Sequence, residues 1–327
     1  MGRFAIEDLS DAHVLAVRER LLGWWDANRR DLPWRKTRDP YRILISEVML
    51  QQTQVDRVIP YYERWLETFP DVRALAEAPT AEVIRLWAGL GYNRRAVNLQ
   101  RTAQAVIERG GEFPVDVREL QALPGIGPYT AGAIACFAFE RDVAFIDTNM
   151  RRVLHRLFYG VDVPSVTATD REITALAARM VPPGDGWNWN QALIEFGALL
   201  CTARKPLCIV CPLQATCAAF PSIQSAIAEL PKGSPKKREA PFKESNRYFR
   251  GRVVDTLRSG PGDGIALADL GPEVRPGFVE ADVPWLFEVV RGLERDGLAA
   301  ISEEEPAYDA GAANEPGDLG NVKVRLP

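Results

Sequence analysis

From about residue 8 to residue 217, apolar residues recur three or four positions apart and each such stretch closes at Pro or Gly, the spacing of amphipathic helices packed in series. No strand-like alternation interrupts them. Asp116 with Glu119 gives a D-x-x-E start to a helix ending at Leu123, and Pro128 falls in the first turn of the next. Between them LPGIGPYTAG makes a tight bend, in which Gly125 and Gly127 are expected to take conformations that only glycine adopts cheaply. The amides of such a bend and of the new helix's first turn face outward together and form an anion site from backbone alone. An ordinary helix–helix connection is the plainer reading of an isolated G-x-G.

Two carboxylates stand out against the same pattern. Glu47 lies four residues after Ile43 and three after Leu44, so it shares the apolar face of its helix, where burial would raise its pKa and keep a proton available. Asp147 follows the apolar run VAFI and precedes a helix whose inner face is Met150, Val153, Leu154 and Leu157. Free N–H groups and the helix dipole there favour the ionised carboxylate, so the two acids are expected to have their pKa values pushed apart. The bland alternatives are an acid at the edge of an apolar face and a plain N-cap aspartate.

The helical pattern stops at PKGSPKKREAPFKES, Pro231 to Ser245, where proline, glycine and clustered cations read as a linker. Beyond it RYFRGRVVDTLRSG predicts a helix, VPWLFEVVRGLERDGLAAIS a helix running into a short strand, and NVKVRLP a terminal strand. That order suits a small winged-helix-like α+β module.

Charge refines the picture. The 327 residues carry 40 basic and 44 acidic side chains, and the acidity belongs to the tail: from Lys243 onward there are 10 basic and 16 acidic residues. A net charge of about −6 disfavours DNA binding through the whole face of the terminal module and leaves a protein-contact or structural role for it. No run approaches 18 apolar residues and the charged N-terminal stretch is unlike a secretory signal, so a cytoplasmic chain with no membrane span is expected.

Four of five cysteines crowd into CTARKPLCIVCPLQATC, where Cys201, Cys208, Cys211 and Cys217 give C-x6-C-x2-C-x5-C. Four thiolates in one loop can close around one metal centre, and the spacing alone leaves zinc and iron-sulfur both open. Cys136, in AGAIACFAF, reads as a buried core thiol, and His13 and His155 as structural.

LPGIGPYTAG followed by FIDTNMRRVLHRL resembles the helix–hairpin–helix and Gly/Pro…Asp signature of the DNA glycosylase superfamily that includes endonuclease III. With RRDLPWR, SEVMLQQTQV, GLGYNRRA and QALIEFGALLC, the resemblance over roughly residues 14 to 220 is to the MutY adenine glycosylases. It implies a mainly α, two-lobed helix–hairpin–helix glycosylase whose cysteine loop holds a [4Fe-4S] cluster. The implied domains are 1–29 with 142–222 (cluster-containing), 30–141 (six helices with the hairpin), a linker over 223–245, and the winged-helix-like module over 246–327. By the same resemblance Glu47 protonates adenine and then helps activate water, Asp147 stabilises or traps the sugar, and Asn149 sits nearby. Tyr129 stands where strand-cutting relatives carry a Schiff-base lysine, so a monofunctional enzyme is implied. Gln52 and Tyr92 are the implied wedge in the gap left by an extruded base. Gly125, Gly127, Arg94 and Arg95 are implied to meet DNA, and Arg30, Trp34, Arg35 and Glu195 to line the base pocket.

The implied partner is duplex DNA with a mismatched or oxidised base pair, bound by a monomer, and the implied reaction is hydrolytic release of adenine opposite 8-oxoguanine or G. Two departures stand out. The tail of about 85 residues has too few strand-like runs for the larger C-terminal domain with which MutY proteins read 8-oxoguanine, and FIDTN replaces the commoner V-D-G-N. A thymine or uracil glycosylase acting on G mismatches shares the fold, cluster and tyrosine, but Glu47 speaks against it. A non-catalytic iron-sulfur DNA-binding regulator would have no use for Glu47 and Asp147.

Overall fold

The computed structural model describes residues 6–231, 242–302 and 319–327. Its elements, in chain order, are α1 (Asp11–Asn28), α2 (Pro40–Leu50), α3 (Val55–Thr68), α4 (Val72–Glu77), α5 (Thr80–Leu86), α6 (Arg94–Glu108), α7 (Val117–Gln121), α8 (Pro128–Phe137), α9 (Thr148–Phe158), α10 (Asp170–Met180), α11 (Gly186–Leu199), α12 (Ser222–Ala228), α13 (Asn246–Ser259), β1 (Ile265–Ala266), α14 (Leu267–Val274), α15 (Val283–Arg295), β2 (Ala300–Ser302) and β3 (Lys323–Arg325). The chain groups into two compact units, Met1–Glu47 with Phe113–Ala122 and Ile126–Ser234, and Val48–Glu112 with Leu123–Gly125 and Pro235–Pro327.

In the first unit α1 packs on α11, α11 on α9 and α7 on α8. Side-chain caps start α1, α7, α9 and α10, those of α7 and α9 at the aspartates that the sequence singles out. Asp116 accepts from the Arg118 and Glu119 amides to open α7, which ends at Gln121, two residues earlier than the pattern suggests. Thr169 and Glu172 form a complete capping box on α10. Val14, Val17, Leu21 and Trp25 are buried along α1, and Met150, Val153, Leu154 and Leu157 along α9, the inner face that the spacing predicts. A helix over Ser222–Ala228 occupies the start of the expected linker, and residues 232–241 of that linker lie outside the described ones.

The second unit joins α3–α6 to the terminal module. The module runs helix, strand, two helices and two strands, with the sheet order β1-β3-β2, all antiparallel. The sequence pattern missed β1 and α14, because a two-residue strand and an eight-residue helix are too short to show a period. Central Val324 pairs with both Ile265 and Ile301 and is fully buried. The module's core of Val253, Leu257, Leu270, Leu286, Val290 and Val324 is continuous with Ile84 of α5 and Val97 of α6. Arg258 donates to the Ile84 carbonyl (3.1 Å) and to Asn93 Oδ1 (2.9 Å), and the Pro327 carbonyl accepts from the Ala81 amide (3.1 Å). The module is therefore built into this unit by shared apolar burial.

At the hairpin Gly125 has φ +77°, and a Cβ there would lie 2.8 Å from Asn98 Cβ, so glycine is required on both counts. Gly127 corrects the expectation made for it. Its φ of −87° and ψ of 175° are ordinary extended backbone, and nothing lies within 4 Å of the Cβ it lacks. It serves as the N-cap of α8, with Pro128 at the first helical position.

Candidate active site

Glu47, Tyr129, Asp147 and Asn149 all belong to the first unit. Glu47 is 6% exposed on α2. Burial pushes its carboxyl up from 4.5 to about 7, against the lowering influence of a hydrogen bond from Tyr129, with Asp147 raising it further and Arg35 lowering it. The Tyr129 hydroxyl is itself pushed up by burial and by the fields of Glu47 and Asp147. Its ring packs edge-on against Phe145 at 5.4 Å, which fixes the hydroxyl's direction.

Asp147 caps α9. Its Oδ1 accepts from the Met150 amide (2.6 Å) and its Oδ2 from Asn149 Nδ2 (3.1 Å). The expectation that the helix terminus lowers its pKa is corrected here: burial dominates and raises it, and the bonds from Met150 and Asn149 and the charge of Arg152 offset only part of that. The two acids thus share one electrostatic environment, in which Glu47 feels Asp147 as a like charge.

Asn149 is held in turn. Its Oδ1 accepts from Arg152 Nη2 (2.8 Å), which also donates to the Gly197 carbonyl (2.7 Å), while Arg152 Nε reaches the Cys201 carbonyl (2.8 Å). Gly197 permits this, since a Cβ there would lie 2.8 Å from Asn149 Cβ. A chain of contacts therefore runs from Asp147 through Asn149 and Arg152 to the start of the cysteine loop. Arg152 passes in the sequence for an ordinary solvated cation, although its i,i+3 spacing from Asn149 on α9 is a signal that could have found it.

Arg30, Arg35 and Glu195 form one ion-pair group. Arg30 grips Glu195 through Nε to Oε1 (2.8 Å) and Nη2 to Oε2 (2.7 Å), and Arg35 Nη2 adds a bond of 3.0 Å. Burial works to raise the fully buried Glu195, but the two guanidinium groups outweigh it and hold the carboxyl at about 2. Arg35 also donates to Gln191 (2.9 Å) and to the Arg30 carbonyl (2.9 Å) and lies 4.7 Å from the Trp25 ring centre, and Trp34 is buried on the short 3₁₀ turn Pro33–Lys36. These residues are committed to one another and fix the Arg30–Lys36 segment that precedes α2.

The four loop cysteines line one enclosed pocket with Val153, Arg156, Leu157, Phe196 and Leu200. Leu213 N–H bonds Cys211, and the Ala219 and Phe220 amides bond Cys217. Buried Arg156 donates to Cys201 Sγ (3.7 Å), to the Thr202 (2.7 Å) and Ala203 (3.0 Å) carbonyls, and to Asp162 (2.7 Å). Burial raises the Cys201, Cys211 and Cys217 thiols, and the backbone N–H groups, the Arg156 guanidinium on Cys201 Sγ and the nearby charge of Arg152 oppose it, an arrangement that suits an anionic thiolate-bound group. Among the described residues no three His, Cys, Asp or Glu are grouped as closely as the ligands of a single metal ion. Cys136 is a buried core thiol pushed up to about 12, and accepts from Asn190 at 3.4 Å. His155 is buried and structural: it faces the Gly160 carbonyl (3.2 Å) and accepts from the Thr167 amide (3.0 Å).

In the second unit, exposed Gln52 (φ 55°) and Tyr92 (φ 46°) are two of three non-glycine residues with left-handed backbone among those described. Such strain, about 1–3 kcal/mol per residue, is uncommon outside functional positions. Arg95 is otherwise occupied. Its guanidinium donates to the carbonyls of Val48 (2.7 Å), Met49 (3.3 Å), Gln51 (2.7 Å), Leu90 (3.1 Å) and Gly91 (3.2 Å), tying the Gln52 and Tyr92 turns together. Arg94 is exposed and pairs with Asp296 at 3.5 Å.

The family described as "HhH-GPD superfamily base excision DNA repair protein" matches residues 45–179. The chain is 42% identical over 241 residues to an adenine DNA glycosylase of Mycolicibacterium smegmatis, covering 73% of this chain and 79% of the relative. It is 44% identical over 224 residues to the adenine DNA glycosylase of Mus musculus, but spans only 43% of that longer protein. Among solved structures, a thermostable thymine-DNA glycosylase superposes with a TM-score of 0.59 at 32% identity, covering 63% of this chain and 96% of that one. The motifs, the paired acids around Tyr129 and the extended identity to the mycobacterial relative lead to one conclusion: the chain belongs to the adenine DNA glycosylase family.

Proposed function

We propose that the protein is a monofunctional DNA glycosylase that hydrolyses the N-glycosidic bond of adenine mispaired with 8-oxoguanine or G. The observation that carries the proposal is the protonatable Glu47, held near 7 by burial and bonded by Tyr129 in the field of Asp147. Glycosyl cleavage needs an acid for the leaving base and an anion for the positive sugar. Glu47 gives its proton to a ring nitrogen of adenine as the C–N bond breaks, and the bonding pair leaves with the base. Asp147, oriented by Met150 and Asn149, faces the cation at the sugar carbon. Water adds there and returns a proton to the Glu47 carboxylate, which restores the starting state. Tyr129 has no amine with which to form a Schiff base, so the product is abasic DNA without a strand cut.

The strained Gln52 and Tyr92 turns suit residues that enter a duplex as the base leaves it, and the Gly125–Pro128 bend suits a phosphate. Cys201, Cys208, Cys211 and Cys217 would hold a [4Fe-4S] cluster. Bound there, it would make the loop one rigid element with a redox-capable centre.

The similarity to a thymine-DNA glycosylase favours T or U release as the second reading, and the buried acid argues against it. A panel of duplexes with A, T or U opposite G, and A opposite 8-oxoguanine, decides between them. Adenine release from the A duplexes alone is expected, with strand breaks only after alkali. Release of T or U without A rejects the proposal, and release of nothing points to a regulator.

A further inference from the structure

In the second unit a cleft of ≈ 760 Å³ lies between the Gly89–Asn98 segment and α13 of the terminal module. Tyr92, Arg94, Phe242, Arg247 and Arg250 are among the side chains that line it. We propose that this cleft binds the phosphate backbone of duplex DNA, and that the terminal module is thereby part of the DNA-contact surface through Arg247.

The charge of the module as a whole hides this. Its net −6 comes entirely from residues 303–318, which hold six acidic and no basic residues; without them the module is balanced at nine of each. α13 is cationic, with Arg247, Arg250, Arg252 and Arg258 against Asp255 alone. Arg250 and Arg94 share Asp296, and Arg258 is occupied by Asp255, Asn93 and the Ile84 carbonyl. Arg252 donates to the Glu273 carbonyl, whereas Arg247 is exposed and its side chain makes neither an ion pair nor a hydrogen bond among the described residues.

Its guanidinium lies 4.2 Å from the centre of the Tyr92 ring, and Arg95 lies 5.6 Å from the same ring. The strained Tyr92 turn is thus buttressed by one cation from its own turn and one from the terminal module. Phe242, 63% exposed, packs on Tyr248 at 5.6 Å and sets an apolar wall beside the cations. A guanidinium stacked on an aromatic ring keeps its N–H edge free for phosphate oxygens, which a solvated lysine would meet only as a point charge. The inference rests on the reading of DNA as the partner, but not on which base is released.

The test measures affinity of the full-length protein for a short lesion-free duplex as a function of salt. Each phosphate neutralised contributes about 0.9 to the slope of log affinity against log salt. Arg247→Ala is expected to weaken binding roughly three- to tenfold and lower the slope by about one, and Arg247→Glu to weaken it further. Arg247→Lys, which keeps the charge, should retain the slope. Amides of Phe242–Arg250 should gain protection from hydrogen exchange when duplex is added to the wild type. Unchanged affinity and slope in both the Ala and Glu variants would overturn the inference, while adenine release from the mismatch panel would still stand on its own assay. Arg247-dependent binding by a protein that releases no base would uphold the inference and sink the glycosylase reading.

Discussion

Glu47 and Glu195 are buried in the same unit, yet their carboxyl groups are driven in opposite directions. Glu47 lacks a strong cationic partner, so burial raises its folded pKa from 4.5 to about 7. Its contribution to stability is whole below the unfolded value and is lost as pH rises through about 7, at a cost of up to about 3 kcal/mol. Glu47→Gln is therefore expected to be more stable than wild type at pH 9 and little different at pH 4, measured by denaturant unfolding at both. Glu195 is held at about 2 by Arg30 and Arg35, so its stabilisation is present above 4.5 and lost as pH falls toward 2. Arg30 is a third exposed, which puts Glu195→Gln at the low end for breaking a buried pair, about 3 kcal/mol, read from the same unfolding curves. The burial of Glu47 was legible in the sequence because i,i+3 and i,i+4 spacing reports a helix face directly. The raised pKa of Asp147 was not, since it depends on cover supplied by distant residues that no local pattern describes. Nor was the commitment of Arg95 to five carbonyls, because an arginine beside a glycine-rich turn looks the same in sequence whether it faces DNA or its own backbone.

Helix starts were the most readable elements, because caps are local: Asp116, Pro128 and Asp147 all stand where the sequence places them. Close approaches between helices were not. Gly197 lets α11 meet the first turn of α9, and Gly197→Ala must push Asn149 away from Asp147 and Arg152. The expected result is about 1–3 kcal/mol of destabilisation together with slower base release, seen by thermal unfolding and single-turnover assay. The Gln52 turn predicts the reverse pairing of effects. Gln52→Gly removes left-handed strain, so stability should hold or rise by up to about 1 kcal/mol while release from a paired duplex falls. An equal loss of both would mark Gln52 as a structural residue.

At the scale of the whole molecule, the sequence boundary near 246 marks a change of pattern without a break in packing. Ile84 and Val97 belong to the same apolar core as the module's helices, so deletion of residues 246–327 is expected to lower the unfolding midpoint and expose a surface that promotes aggregation. A truncated chain that unfolds at the wild-type temperature would contradict the shared core. The cysteine loop is joined to the rest through Arg152 and Arg156, and its four cysteines line the same pocket. Base release, however, turns on one proton, that of Glu47. Its role is read from single-turnover release of adenine from an A·8-oxoguanine duplex, followed from pH 5 to 9 in the wild type and in Glu47→Gln. A rate that falls as pH rises through about 7 in the wild type, with no release by the variant at any pH, is the predicted result. A rate undiminished at pH 9, or a variant that releases adenine at the wild-type rate, would contradict it.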